Sequence, residues 1–482
     1  MKRIYLFCFV IAIGIAAFLR LYNFEGFVTF LGDQGRDAII VKRILALEHL
    51  PAIGAPSSVG QVYLGPFYYY LIAPFLLLFN FNPVGLAFGV ALLSIAGTAF
   101  AYLAVKKETN NLTALLFVFL LATSLPLINL SRFSWNPNLL PYFSFATIYF
   151  FYLWYKKNSS LYAMLFGVFL AFSFQLHYLT ALIMPSLLIF YLYLLRKSKY
   201  KKNLLTQTLY ALIAFIVFVS PLIIFDLRHD FLNVKNFIAL FREKGLANSS
   251  SVDAKLFETV NYFVAHSLQI DVSKIVSLVI ILFLTLLAYL ANKKNTASVF
   301  INLNLIVIIF YLIGFSLLQT PRLLHYYGPI YLSFYLLLSQ IPLFLKTKYV
   351  QIATAILIGV SFIFVNVQKY SFFYQPPNNQ IGGARNFAAT FHNYIKKQPI
   401  QIVTIPFTET DGQFRYFLEK DGYQILSHDS PQQAEELYVI CFQKCTPQDD
   451  PQWQIAAFYN KKVVASWKAD RATIYKIIHG TN

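Results

Sequence analysis

The chain has 482 residues, 58% of them hydrophobic and only 12% charged, with a mean hydropathy of +0.57. Soluble domains carry about a quarter charged residues, so a water-soluble globular protein is excluded and a polytopic membrane protein is implied. The net charge of +18 would make nucleic acid a candidate partner for a soluble chain, but membrane topology accounts for most of it and no nucleic-acid partner is expected.

The first apolar run, 4–19, follows Met1-Lys2-Arg3 as a secretory signal would. No small-residue cleavage site follows it and many similar runs come later, so it reads as a retained helix. A hydrocarbon core of about 30 Å needs roughly 20 apolar residues in a helix. The runs 4–21, 84–105, 112–130, 139–155, 161–174, 179–195, 204–225, 275–291, 299–318, 330–345 and 350–367 predict about 11 transmembrane helices.

One further run, 67–81 (FYYYLIAPFLLLFNF), is short, interrupted by Pro74 and crowded with tyrosines, which prefer the bilayer interface. Charge arbitrates. If this run does not cross, the basic clusters Lys106-Lys107, Lys156-Lys157, 196–202, Lys293-Lys294 and Lys346/Lys348 all share the side of Lys2-Arg3, as cytoplasmic loops should. The run is therefore expected to lie along, or dip into, the outer face. Asp33, Asp37, Asp226, Asp230 and Asp271 then fall outside, together with the polar clusters at 32–38, 131–138, 175–177, 226–230 and 320–327. Any chemistry is expected at that face.

After residue 367 the composition changes. Residues 368–482 carry 12 bases against 10 acids, with Pro376-Pro377 and Gly382-Gly383 as linker signals. Helical patterns at 384–397 and 413–421 alternate with strand-like runs at 400–405 and 437–442, which predicts a small α/β domain. An odd number of crossings from an inside N-terminus makes it extracytoplasmic. The predicted organisation is an all-α membrane domain over 1–367, with an outer loop at 22–83, followed by this domain at 368–482. The cysteines, Cys8, Cys441 and Cys445, are too few for a disulfide scaffold and lack a second pair for a zinc site.

Asp33 is the first candidate for catalysis. It sits in a Gly-Asp-Gln-Gly frame in which Gly32 and Gly35 permit a tight backbone and close approach by a ligand, and a carboxylate there can take a proton from an attacking hydroxyl. The alternative is a solvated loop carboxylate. Arg36 and Asp37 would share a face of a helix starting near Gln34, with Asp37 positioning Arg36. Arg132, Arg228 and Arg322 stand at outer helix mouths, where guanidinium can grip a lipid phosphate or merely anchor a helix end. Gln175 and His177 close an apolar helix, His325 follows Arg322, and Asn136 lies in the SRFSWNPN cluster. Tyr63 and Tyr68 offer faces for sugar rings or for interfacial packing. No HExxH-like spacing is present, so no metal is expected.

An outer loop with an acid in a Gly-Asp-Glx-Gly setting, then LGPFYYYLIAPFLLLF, then a helix ending SRFxxxPNLL, resembles the membrane-embedded GT-C glycosyltransferases. Within these it is similar to bacterial relatives of the dolichyl-phosphate-mannose protein mannosyltransferases and of the lipid A aminoarabinose transferase (glycosyltransferase 39/83-like). The likeness covers roughly 1–367 and is strongest through Phe143. It implies an inverting sugar transfer, in a bacterial plasma membrane, from a polyprenyl-phosphate donor to a protein, lipid or glycan acceptor at the outer face. The first-loop acid maps onto Asp33 as base, and Arg322 is the best match to a phosphate-holding residue. This chain departs from many relatives in having Gln34 after Asp33, and Asn136 and Asn138 where an acid follows the third-helix arginine. Two rivals stand beside this reading: a polymerase or ligase of lipid-linked glycans, and a transporter or flippase, for which apolar helix centres with charges gathered at one mouth are unfavourable.

Overall fold

The computed structural model describes residues 2–57, 61–197, 201–242, 252–293, 299–318 and 320–480. Parts of two expected basic clusters, 198–200 and Lys294, lie outside them. The chain forms two compact units. One comprises Met1–Tyr22, Pro51–Leu71 and Phe88–Gln375, and the other comprises Asn23–Leu50, Ile72–Ala87 and Pro376–Asn482. The outer loop expected at 22–83 is thus divided, with much of it belonging to the unit that contains the C-terminal residues.

The first unit is helical. Among the described residues of the chain, six helices are long and apolar enough to cross a membrane: Arg3–Leu21, Val84–Glu108, Tyr178–Arg196, Lys201–Arg228, Val299–Leu317 and Lys348–Val367. The count rises to seven if the bent pair Asn111–Thr123 and Leu125–Ser131 is one span, so the expected 11 is not reproduced. The other runs are helical, two of them as the continuous helices Leu140–Lys157 and Lys274–Lys293, and the rest are short or broken. Ser160–Leu176 has 17 residues, or about 26 Å. Run 330–345 is no continuous helix: Tyr331–Leu338 has 8 residues and lies between 3-10 turns containing Pro329 and Pro342, residues that cannot donate to a helical ladder. The doubtful run forms a helix of only 12 residues, Phe67–Leu78, about 18 Å long and too short to cross.

The run expected as one helix at 112–130 bends by 56°, and the carbonyls freed at the bend find partners. Pro126 has no N–H for the Ala122 carbonyl, and the Leu125 N–H instead donates to Asn366 Oδ1 at 2.9 Å. Arg20, fully buried at the end of the first helix, donates to the Leu121 and Ala122 carbonyls at 3.2 Å each. Tyr370 donates to the Thr123 carbonyl at 2.5 Å. A break at membrane depth survives only when its orphaned carbonyls find such partners.

The second unit is α/β. Strands β1 (Ile400–Ile405), β2 (Glu436–Cys441), β3 (Lys461–Ala469) and β4 (Ala472–His479) form one sheet in the order β1-β2-β4-β3, with β1 and β2 parallel and the other pairs antiparallel. The β3–β4 hairpin, which the sequence reading passed over, turns at Asp470-Arg471, with Asp470 at φ 49°. Val403, Leu437, Val439, Ile455, Phe458 and Ile477 make its core. Glu436 is buried and accepts from Lys476 Nζ at 2.7 Å, Tyr438 Oη at 2.7 Å and the Lys396 N–H. Burial opposes its charge, yet these donors hold its carboxyl below the usual range. The predicted helix 384–397 is instead Gln380–Ala389. Cys441 and Cys445, which with Cys8 are too few for a disulfide scaffold, form a single disulfide.

Two helices of this unit, Gly32–Leu45 and Gly412–Lys420, pack together. Phe30 meets the Tyr416 and Phe417 rings at 6.2 and 5.9 Å, and Arg43 pairs with Glu419 at 3.0 Å. The close fit depends on absent side chains. A Cβ on Gly32 would lie 2.0 Å from Thr410 Oγ1, and one on Gly412 would lie 2.5 Å from the Gly32 carbonyl oxygen. The glycines of the GDQG frame therefore admit a neighbouring backbone of the same chain, where a ligand had been expected.

Candidate active site

Asp33 lies in the first turn of the Gly32–Leu45 helix, which starts two residues earlier than expected. A carboxylate in a first turn is favoured by the helix dipole, and Gln34 Oε1 secures the turn by accepting the Leu31 N–H at 3.1 Å. Asp33 is half exposed and its Oδ1 accepts from Arg36 Nη1 at 2.8 Å. Arg36 is held in turn by Asp37, whose Oδ1 accepts from Nε at 3.0 Å and Nη2 at 2.8 Å and whose side chain is fully buried. Asp37, expected to position Arg36, is in contact with it.

Asp33 and Arg36 line a cavity of about 400 Å³ whose other walls come from 403–412, His428, Gln452 and Gln454. One of its buried polar groups is Asp411. Its Oδ2 accepts from Arg415 Nε at 3.1 Å and Nη2 at 2.8 Å, while its Oδ1 lies 3.1 Å from His428 Nε2. Burial alone would raise the Asp411 carboxyl, but the His428 hydrogen bond and the Arg415 charge outweigh it and lower it to about 2. Sequence reasoning missed Asp411 and His428 because they stand 17 residues apart on separate loops. Only the fold joins them.

The remaining candidates belong to the first unit. Arg132 donates from Nη1 to the Leu19 and Arg20 carbonyls at 3.0 and 3.1 Å, and from Nη2 to the Tyr22 carbonyl at 2.8 Å, with Phe372 beneath it at 4.3 Å. It caps the C-terminus of the first helix. Gln175 is likewise engaged, accepting from the Phe67 N–H at 3.3 Å and donating to the Phe218 carbonyl at 2.8 Å. Tyr68 is buried with its hydroxyl 2.7 Å from Ser134 Oγ. The Tyr63 backbone is bound at both its N–H and its carbonyl by the Asn233 amide, and its ring lies 5.6 Å from Phe225. Arg228 is exposed at the end of its helix.

A second polar cluster gathers around His325. Its ring lies 4.5 Å from Trp135, 4.2 Å from Tyr326 and 6.0 Å from His177, whose Nδ1 accepts the Leu179 N–H at 3.2 Å. Burial lowers His325 to about 4. Asn136, next to Trp135, is buried, and neither its Oδ1 nor its Nδ2 has a hydrogen-bond partner among the described residues. The same holds for Arg322 Nε and Thr320 Oγ1, although Arg322 Nη1 donates to the Leu318 and Thr320 carbonyls at 3.2 and 2.8 Å. Buried polar groups without partners are rare, and these leave donors ready for an anionic ligand. No three His, Cys, Asp or Glu side chains among the described residues come together as metal ligands would.

The sequence pattern of the dolichyl-phosphate-mannose-protein mannosyltransferases matches residues 64–225. No curated protein gives a significant sequence match. The crystal structure of ArnT from Cupriavidus metallidurans bound to undecaprenyl phosphate superposes with a TM-score of 0.65 at 11% identity, covering 97% of both chains. Its apo form gives 0.63 at 12%, again covering 97% of each. The Archaeoglobus fulgidus oligosaccharyltransferase, in complex with zinc and sulfate, gives 0.56 at 16% identity over 87% of this chain and 62% of the other. The chain is an integral membrane protein with the GT-C fold, and it resembles the glycosyltransferases built on that fold.

Proposed function

We propose that this protein transfers a sugar, with inversion, from a polyprenyl-phosphate-linked donor to an acceptor at the extracytoplasmic face of the membrane, with Asp33 as general base. The observation that carries the reading is Asp33 itself: a half-exposed carboxylate facing a cavity, with Arg36 fixed beside it by buried Asp37. The fold likeness to ArnT, whose crystal structure holds undecaprenyl phosphate, supports the donor class. An oligosaccharyltransferase of similar fold has been captured tethered to an acceptor peptide, which supports transfer to a separate acceptor. The Cys441–Cys445 disulfide favours an oxidising compartment for the C-terminal residues.

In this mechanism the acceptor hydroxyl gives its proton to Asp33 as its oxygen bonds to the anomeric carbon. The bond from that carbon to the phosphate oxygen breaks, and polyprenyl phosphate departs with the electron pair. Arg322, with its unpartnered Nε, is assigned to the phosphate charge. The His325 and Asn136 cluster is assigned to the same anion. No step is routed through a metal, so EDTA should leave the rate unchanged.

The test is release of polyprenyl phosphate, with the label appearing on acceptor, from polyprenyl-phosphate hexoses and pentoses presented to the protein in nanodiscs. Asp33→Asn should slow transfer by about 10²–10⁴-fold without loss of folding. An undiminished rate in that variant removes Asp33 as base. Intact donor appearing in the opposite leaflet instead of released polyprenyl phosphate replaces transfer with flipping.

A further inference from the structure

The cavity beside Asp33 has walls unlike those of a phosphate site. Its cations are already engaged: Arg36 with Asp33 and Asp37, and, behind the wall, Arg415 with Asp411. Its other charged lining group, Glu409, is a carboxylate facing Arg471 at 3.5 Å. An anionic donor head would meet carboxylates here and no uncommitted guanidinium.

The lining offers instead planar polar groups and one aromatic face. Gln452 and Gln454 each spend one amide hydrogen on a backbone carbonyl, those of Thr404 and His428. His428 turns Nε2 toward Asp411, so that its Nδ1 is left for a ligand, and half of its side chain is exposed. Phe407 is 75% exposed on the wall of this hollow, although burying so large an apolar side chain would be favourable. An aromatic face beside paired donors and acceptors suits a sugar ring, whose C–H face is apolar and whose hydroxyls both give and take hydrogen bonds. The volume of about 400 Å³ lies at the small end of ligand pockets.

A peptide strand is the chief alternative, since β1 is an edge strand of the sheet. That edge is occupied at its two ends. The Thr404 carbonyl accepts from Gln452 Nε2 at 2.9 Å, and the Ile400 N–H and carbonyl bond to Gln424 and Leu426, which shortens the ladder that strand addition needs.

We propose that this cavity is the acceptor subsite and that it takes a neutral sugar ring, with Phe407 as its stacking face and His428, oriented by Asp411, as a hydrogen-bond partner to a ring hydroxyl. The proposal rests on Asp33 being the base of the transfer reaction, and it adds the acceptor's chemical class.

The experiment is saturation-transfer NMR on the full chain in nanodiscs, with a panel of methyl glycosides of mannose, glucose, galactose, N-acetylglucosamine and arabinose, and a matched panel of Ser-, Thr- and Asn-containing hexapeptides. At least one glycoside should bind, and Phe407→Ala, with unchanged melting, and His428→Ala, which also takes a hydrogen bond from Asp411, should each weaken it roughly two- to tenfold. Phe407→Leu, which keeps an apolar side chain at an exposed position, should weaken binding as well. Absence of glycoside binding, binding indifferent to all three substitutions, or peptide binding that these substitutions abolish would each overturn the proposal. The two readings fail separately. Glycoside binding without any release of polyprenyl phosphate sinks the reaction and keeps the sugar site, whereas release without glycoside binding does the reverse.

Discussion

Gly35 and Gly412 meet backbone to backbone: a Cβ placed on Gly35 would lie 2.1 Å from the Gly412 carbonyl carbon and 2.3 Å from the Gln413 nitrogen. Backbone cannot yield as the tip of a flexible side chain can. Gly35→Ala should therefore push the two helices of the second unit apart, at a cost of about 1–3 kcal/mol, and lower the melting midpoint by several degrees. Gly382, with nothing within 4 Å of its Cβ position, supplies the control. Gly382→Ala should be neutral or slightly stabilising, because alanine restricts the unfolded chain. Equal melting of the two variants would contradict the close packing of Gly35.

Asp411 should make the same unit sensitive to acid. Its carboxyl stands at about 2 when folded and at about 3.9 when unfolded, so the unfolded chain binds more protons between those values. The stabilisation is complete above about pH 4 and disappears as pH falls through 2. Asp411→Asn leaves buried Arg415 without its carboxylate and should cost about 3 kcal/mol near neutral pH. Denaturation followed against pH should show variant and parent converging toward pH 2. A constant gap across that window would disprove the assignment.

Two of the three arginines first considered for phosphate should separate by assay. Arg132 gives its Nη donors to three carbonyls at the end of the first helix, so Arg132→Lys, which loses the planar fork, should lower stability by on the order of 2 kcal/mol and leave the donor KM unchanged. Arg322 keeps an unpartnered buried Nε among the described residues. Arg322→Lys should raise the donor KM about tenfold, or 1.4 kcal/mol, with little change in melting. The opposite pattern would exchange their roles.

How much of this was legible follows from range. Periodicity and composition are local, and they identified most of the helical runs and placed the strands at 400–405 and 437–442 and the helix at 413–421 within a residue or two. The Arg36–Asp37 relationship was also readable, since it spans a single residue. What escaped depends on distant partners. The GDQG glycines announce a close approach but not what approaches, and Thr410 to Gln413 lie nearly four hundred residues away. Asp411 and His428 carry no motif spacing. Long apolar runs say where helices form, but the bend at Ser124 and the breakup of 330–345 turn on Pro126, Pro329 and Pro342, whose effect depends on whether the surroundings satisfy the backbone they disrupt.

Arg20 poses that last question most sharply, because a fully buried cation in a membrane helix ought to be costly. The structure supplies its compensation. Nε donates to Ser94 Oγ at 3.1 Å, Nη1 to the Ala16 and Ala122 carbonyls at 3.2 Å, and Nη2 to the Leu121 carbonyl at 3.2 Å and the Tyr142 hydroxyl at 3.4 Å. Two of these carbonyls are the ones the bend at Ser124 sets free, so guanidinium and broken helix each satisfy what the other lacks. Arg20→Met keeps the length of the side chain and removes every donor, leaving the Leu121 and Ala122 carbonyls unbonded in apolar surroundings at a cost of several kcal/mol. Arg20→Lys keeps the charge but offers one nitrogen where three had bonded, and should fall between parent and Arg20→Met. Restoring the ladder should rescue part of the loss: Pro126→Ala in the Arg20→Met background returns an N–H to the Ala122 carbonyl. Melting of these four proteins and of Pro126→Ala alone in one detergent checks the argument. Additive losses, with no rescue by Pro126→Ala, would mean that Arg20 stabilises the fold by some route other than the bend.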